Sequence, residues 1–124
     1  MSEKKIIKFS KYQGAGNDFI IIDGREFPLE DPLVYSKKLC KRRFSIGADD
    51  LLYVESSDVA DVKMRVCEPD GSEATMCGNG IRCVAAYLRK KYKKDRFSIE
   101  TLSGIRVVSF RDGLYTVDMG GMQP

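Results

Sequence analysis

A single long amphipathic helix is the feature of the sequence that most constrains the fold. Residues 80–93 repeat apolar side chains at the spacing that gives a helix one apolar face. The members of this stripe are Ile81, Val84, Ala85, Leu88 and Tyr92. Because positions 85 and 86 are both alanine, we expect a sheet to approach the helix closely and to cover this face.

The rest of the chain predicts the strands of that sheet. Seven short segments have strand-like patterns, at 6–12, 19–23, 51–56, 62–66, 97–101, 105–110 and 114–119. Turns such as QGAGND, EPDGSE, LSG and RDG separate several of them. One further short helix is predicted after Asp31 as N-cap and Pro32. Because the strands mostly follow one another, the 124 residues predict one antiparallel or mixed α+β domain.

The charge pattern argues against a nucleic-acid-binding or membrane protein. The net charge is only +3, and the basic clusters at 37–43 and 89–96 fall at the C-terminal ends of predicted helices, where cations complement the dipole. No apolar run approaches membrane-spanning length, and the charged start MSEKKIIKFS is unlike a secretory signal. We therefore expect a cytoplasmic protein that binds neither nucleic acid nor a membrane.

The four cysteines do not predict a metal site. Cys40, Cys67, Cys77 and Cys83 form no CxxC pair, and the chain contains no histidine. A zinc site would need widely scattered thiolates, and a catalytic Cys–His or Ser–His pair within this chain is excluded. Most of the cysteines are expected to be reduced residues of the core.

The segment MCGNGIRCVAAYL, residues 76–88, places Cys77 at the start of the long helix. The positive end of the helix dipole and its unpaired N–H groups favour a thiolate, which predicts a lowered pKa. The same N–H groups can bind a carboxylate, and the two glycines let a ligand approach the backbone. A thiolate base beside a bound carboxylate suits the removal of a proton from an amino-acid α-carbon. An ordinary buried cysteine beside a Gly-Asn-Gly turn explains the same residues, so both interpretations stay open here.

Four segments together resemble the first half of the diaminopimelate epimerase family. They are FSKYQGAGNDFIIID, SIGADDLL, PDGSEATMCGNGIRCVAAYL and TLSGI, in the order that the family has them. The resemblance implies a mostly antiparallel, barrel-like sheet wrapped around a central helix, as one of two similar domains. It also implies an amino-acid epimerase or racemase, first of all one that interconverts LL- and meso-diaminopimelate in lysine biosynthesis.

The resemblance also implies roles for individual residues. Cys77 would be one of two catalytic cysteines, a thiolate and a thiol, that move the α-proton without pyridoxal phosphate, another cofactor or a metal. Gly78 and Asn79 would offer backbone N–H groups to the substrate carboxylate. Asn17 matches a substrate-binding asparagine of the family, although asparagine also serves turns.

Two positions depart from the family's usual pattern. Asp50 stands where many members have glutamine or glycine, and Glu68 stands where an asparagine usually binds the distal end of the substrate. A carboxylate at position 68 would repel a distal carboxylate and attract a cation. A racemase acting on a basic amino acid such as histidine or lysine is therefore an alternative. In the other interpretation, Glu68 contacts only the ammonium group or lies outside the pocket.

Enzymes of the family are about twice this long, and each of their two domains supplies one cysteine. No second CG motif is present here, so we expect residues 1–124 to be the N-terminal domain of a longer enzyme and to be inactive alone. The expected partners are an amino-acid substrate and the C-terminal domain; a homodimer that joins two Cys77 thiols is an alternative. A non-catalytic module that binds an anion or an amino acid through the CGNG amides is the main alternative of another class.

Overall fold

The computed structural model describes residues 8–14, 16–41 and 47–118. It contains eight strands and two helices in these ranges. The strands are β1 (Ser10–Gly14), β2 (Asn17–Asp23), β3 (Asp50–Glu55), β4 (Val62–Cys67), β5 (Glu73–Ala74), β6 (Arg96–Thr101), β7 (Gly104–Arg111) and β8 (Leu114–Asp118). The helices are α1 (Pro32–Leu39) and α2 (Gly78–Tyr92).

The strands form one sheet that curls around α2. Their order is β1-β2-β3-β4-β6-β7-β8. The short β5 pairs with the C-terminal end of β4, on the side where β6 pairs with its N-terminal end. The β2–β3 and β4–β6 pairs are parallel, and all other pairs are antiparallel. Helix α2 contacts both outer strands, β1 and β8, as well as the strands between them. The predicted α+β fold, a mostly antiparallel sheet wrapped around a central helix, is confirmed.

The core has one layer on each face of the sheet. Helix α2 fills the concave face, where its buried side chains pack against buried apolar residues of five strands, β2, β3, β4, β6 and β7. Helix α1 covers the opposite face, where it contacts β3 and β4 and packs on a cluster that includes apolar residues of β2 and β3. Because both faces are covered there, β2 and β3 are continuous apolar runs and do not alternate.

Several predicted boundaries differ from the structure. The first strand is Ser10–Gly14; residues 6 and 7 of the predicted strand lie outside the described part of the chain, as does Met119 of the last one. Helix α2 begins at Gly78 instead of position 80. Tyr92 was predicted on the buried stripe, which is wrong: it is 46% exposed, because it belongs to the last turn of the helix and stacks with Arg25 at the surface.

The strand register brings the ends of several elements together. In the parallel ladder Phe19 pairs with Asp50, and in the next ladder Leu51 pairs with Cys67. The start of β2, the start of β3 and the end of β4 therefore lie side by side at one end of the curled sheet. The first turn of α2 reaches the same end, since Gly80 packs against Leu52 of β3.

Candidate active site

Cys77 is the N-cap residue of α2. Its backbone is extended, with φ −138° and ψ 111°, and its carbonyl oxygen accepts the first helical hydrogen bond, from the Ile81 N–H at 2.9 Å. Its sulfur accepts a hydrogen bond from the Gly80 N–H at 3.3 Å. The thiol thus takes the position that a serine or aspartate oxygen fills in most helix caps, and it remains half-buried.

The pKa of Cys77 is raised overall, although the thiol lies at the helix N-terminus. Burial raises this pKa and is the largest effect, while the N–H groups of Gly80 and Asn79 act in the opposite direction. The carboxylates of Asp50 and Glu68 add to the increase, so that the pKa lies above its ordinary value. The sequence prediction of a lowered pKa is therefore wrong for the unliganded chain, because burial and nearby negative charge outweigh the amides.

Asn17 and Asn79 contact each other across the start of the helix. The Asn79 side chain donates from Nδ2 to Asn17 Oδ1 at 3.0 Å, and Asn17 Nδ2 donates to Asp49 Oδ2 at 3.3 Å. The same Asp49 oxygen accepts from the Asp18 N–H at 2.7 Å. Asp49, which the sequence analysis did not single out, fixes the orientation of the Asn17 amide and, through Asn17, supports that of Asn79. Its only sequence signal is the doublet Asp49–Asp50 in a loop.

Asp50 and Glu68 bring two carboxylates to the same space. The pKa of Asp50 is raised to about 6 by burial and by the negative charges of Glu68 and Asp49. Both carboxylates also raise the pKa of Cys77, which shows that they act on the thiol. Within residues 8–14, 16–41 and 47–118, no side-chain hydrogen bond or ion pair reaches either carboxylate.

The backbone around Glu68 is held from two sides. Its N–H donates to Ser72 O at 2.8 Å, and its carbonyl oxygen accepts from the Gly71 N–H at 2.9 Å within the PDGS turn. The hydroxyl of Ser36 in α1 donates to the same carbonyl at 2.8 Å. Helix α1 and the turn therefore fix the base of the Glu68 side chain.

The glycines of the site have different surroundings. Gly78 is exposed, and an added Cβ would meet nothing within 4 Å, which leaves room beside Cys77. Gly80 is buried; a Cβ there would lie 3.0 Å from Leu52 Cδ2 and 3.3 Å from Cys77 Cβ. Gly14 of β1 passes close to the helix, where a Cβ would lie 3.1 Å from Cys83 Sγ. Only Gly78 therefore offers the open backbone approach that the sequence predicted for both glycines of the turn.

The other three cysteines have no comparable position. Cys40, Cys67 and Cys83 are all buried, and none of them forms a disulfide. Burial raises the pKa of Cys83 to about 11 and that of Cys67 to about 12. In the part of the chain that the structure describes, no group of three or more acidic, cysteine or histidine side chains could hold a metal ion. Nor is any helix in that part long and apolar enough to span a membrane.

Known proteins match almost the whole chain. The sequence profile of the diaminopimelate epimerase family matches residues 9–123. A diaminopimelate epimerase of Alkaliphilus metalliredigens is 50% identical over 81% of this chain and 36% of its own length. That of Methanococcus maripaludis (strain C5) is 46% identical over 92% of this chain and 44% of its own length. The chain thus spans about two fifths of the curated relatives it matches.

A solved structure shares the fold at much lower identity. The phenazine biosynthesis protein of the PhzF family from Bacillus anthracis superposes with a TM-score of 0.63 at 24% identity, over 90% of this chain and 38% of that one. This likeness agrees with the curled sheet around one helix. The family match over residues 9–123, with relatives that are 46% and 50% identical, shows that the chain belongs to the diaminopimelate epimerase family.

Proposed function

We propose that this chain supplies one half of the active site of an amino-acid epimerase that works without a cofactor. Cys77 would exchange the α-proton with one face of the substrate. The observation that carries the proposal is the position of its thiol: it caps α2, is half-buried beside the exposed Gly78, and contacts the N–H groups of the first helical turn. Because the relatives are named diaminopimelate epimerase, diaminopimelate is the reference substrate for the test. The proposal also includes a role in lysine biosynthesis and a cytoplasmic location.

The chemistry needs two groups, because inversion removes the α-proton from one face and returns a proton to the other. Cys77 is one such group. The other three cysteines of the chain are buried, so we propose that the second acid/base belongs to a second domain of similar fold. The greater length of the relatives supports this arrangement. Residues 1–124 alone would then be inactive as an epimerase.

The protonation state of Cys77 determines whether it first donates or accepts a proton in the reaction. Its raised pKa means that the thiol, and not the thiolate, predominates at neutral pH while the site is empty. In this state Cys77 donates a proton to the carbanion on its face, and it acts as the base in the reverse direction. Open backbone at Gly78 gives a substrate carboxylate access to the helix N-terminus, where partial positive charge stabilises the negative charge that builds up in the transition state.

The test follows deuterium exchange at the α-carbon. The full-length protein that carries this chain is incubated with LL-diaminopimelate and other amino acids in D2O, and exchange is followed by NMR. Since serine is a far weaker acid than cysteine, Cys77→Ser should lower the exchange rate by at least about a hundredfold. Cys40→Ser is the matched control: Cys40 is the C-cap residue of α1 and packs on the opposite face of the sheet, and this variant should exchange at the normal rate. Unchanged exchange in Cys77→Ser would refute the role of Cys77.

A further inference from the structure

A chain of hydrogen bonds joins the start of β3 to the first turn of α2. Asp49 Oδ2 accepts from Asn17 Nδ2 at 3.3 Å, and Asn17 Oδ1 accepts from Asn79 Nδ2 at 3.0 Å. Asn79 is the second residue of α2, two positions after Cys77, which caps the helix. The two amides therefore connect a carboxylate of the sheet to the helical turn that carries the thiol.

The orientation of each amide follows from the carboxylate at the end of this chain. A carboxylate can only accept hydrogen bonds, so Asn17 must turn its NH2 group toward Asp49 and its oxygen toward Asn79. Asn79 must in turn present its own NH2 group to that oxygen. Without an acceptor at position 49, either amide could rotate by half a turn, and Asn79 could bond to nearby backbone groups instead. Asp49 thus selects one of two orientations for both amides.

The carboxylate of Asp49 is itself held by the backbone of β2. Its Oδ2 accepts from the Asp18 N–H at 2.7 Å, and the Asp49 N–H donates to the Asp18 carbonyl oxygen at 2.8 Å. These contacts lie one step before the first pair of the parallel β2–β3 ladder, Phe19 with Asp50. Because both the backbone and the side chain of Asp49 are fixed to one strand, its oxygen is a rigid point from which the amide chain extends.

The same arrangement of an aspartate occurs a second time in the sheet. Asp61 stands one step before the parallel β4–β6 ladder; its N–H donates to Ser98 O at 3.1 Å, and its Oδ2 accepts from the Ser98 N–H at 2.8 Å. Since β3 and β4 are antiparallel, Asp61 lies at the opposite end of the sheet from Asp49. Starting a parallel strand pair therefore accounts for the contacts that the two aspartates share. The bond from Asn17 is what Asp49 has in addition, and strand pairing does not account for it.

We propose that Asp49 is a positioning residue of the epimerase proposed above: through Asn17 and Asn79 it holds the first turn of α2, and with it the Cys77 thiol, in a fixed place against β2. This role depends on the proposed acid/base function of Cys77. A proton passes between the thiol and the α-carbon only at short distance and in good alignment, so a small displacement of the turn slows the transfer more than it weakens binding. Asp49 therefore acts on kcat.

The test measures kcat and KM for α-deuterium exchange in the full-length protein, per folded molecule, with LL-diaminopimelate or whichever amino acid the wild type exchanges fastest. Asp49→Ala removes the acceptor and should lower kcat by at least about tenfold, with less than about a threefold change in KM. Asp49→Asn should keep at least about a third of kcat, because the Asp18 N–H draws the amide oxygen into the place of Oδ2. Asp61→Ala is the matched control: it removes the same kind of strand contact at the far end of the sheet and should keep the wild-type kcat.

Asn79→Ala tests the other end of the chain. Alanine leaves the start of β3 intact and favours the helix, so this variant should fold even if Asp49→Ala does not. It should lower kcat by a similar factor, and the variant with both substitutions should be no slower than either single variant, since each breaks the same chain. A wild-type kcat in Asn79→Ala, or effects of the two substitutions that multiply, would overturn the proposal.

The outcomes separate the positioning role from the function on which it rests. If exchange depends on Cys77 but Asp49→Ala keeps the wild-type kcat or raises only KM, the positioning role is overturned and the epimerase function stands. The same holds if Asp49→Asn loses as much as Asp49→Ala, or if Asp61→Ala loses as much, since the charge or the strand pairing then explains the loss. If the wild type exchanges no α-proton, the epimerase function is refuted and the positioning role with it.

Discussion

At the scale of the residue, the protonation of Asp50 couples the site to stability. Its pKa is 3.8 as an ordinary carboxyl and about 6 in the folded chain. Between these values the folded state holds a proton that the unfolded state has released, so this group lowers stability as the pH rises. The loss is complete above about pH 6. Asp50 is thus a residue whose charge opposes folding, as is common where a site is built for a ligand.

Replacing this carboxylate should therefore stabilise the protein at neutral pH. We expect Asp50→Asn to raise the free energy of unfolding by about 1 kcal/mol at pH 7.5, after allowance for solvent screening, and to have little effect near pH 4. Urea unfolding at the two pH values measures the difference. Asp58→Asn, at an exposed position, is the control and should change stability little at either pH. An equal gain at both pH values would mean that asparagine acts through packing and not through the lost charge.

The sequence could single out the residues of the candidate site but not the electrostatics that act on them. Cys77 and Asn17 follow from their motifs, and the structure places both at one end of the sheet with Asp50 and Glu68. The pKa of Cys77 was predicted in the wrong direction, because burial raises it most and the carboxylates that raise it further come from β3 and the turn after β4. Such charges are distant in the sequence, and only the strand register shows that they meet.

At the scale of the element, the start of α2 depends on two glycines with opposite surroundings. Gly78→Ala places a methyl group in open space at the first helical position and should change the free energy of unfolding by no more than about 0.5 kcal/mol, or stabilise slightly. Gly80→Ala places it 3.0 Å from Leu52 and should destabilise by about 1–3 kcal/mol, because Leu52 is completely buried and cannot move freely. Thermal unfolding of the two variants measures the contrast. Equal effects would contradict the packing of Gly80 on β3.

Pattern reasoning worked for elements with several turns or alternations and failed for the shortest one. Helix α2 and most strands follow from the periodicity of their apolar residues. Strand β5 has only two residues, too few to form any pattern. It is held by its pairing with β4 and by Arg65, which donates to both carboxylate oxygens of Glu73 at 2.9 Å. Contacts of this kind become visible only when the tertiary structure is known.

At the scale of the whole molecule, the curled sheet is open between its two outer strands. In the described residues, β1 pairs only with β2, and β8 pairs only with β7. Both outer strands contact α2, and Tyr12 of β1 and Tyr115 of β8 pack against the core cluster around this helix. Open strand edges favour pairing with another chain. The homodimer, which the sequence analysis gave as an alternative to a second domain, stays a prediction that this edge makes testable.

The outer face of β8 gives the sharpest test of such self-association. Leu114 is 69% exposed at the start of this strand, so an exposed apolar side chain lies directly at an open edge. We expect the 124-residue chain to associate more strongly as its concentration rises, and Leu114→Lys to shift it toward the monomer, because a lysine at an edge disfavours pairing. Sedimentation velocity over a range of concentrations measures the shift. Val59→Lys provides the matched control, since Val59 is 65% exposed in the loop between β3 and β4, away from either edge. If both substitutions reduce association equally, the added charge and not the β8 edge is responsible, and pairing through this edge is refuted.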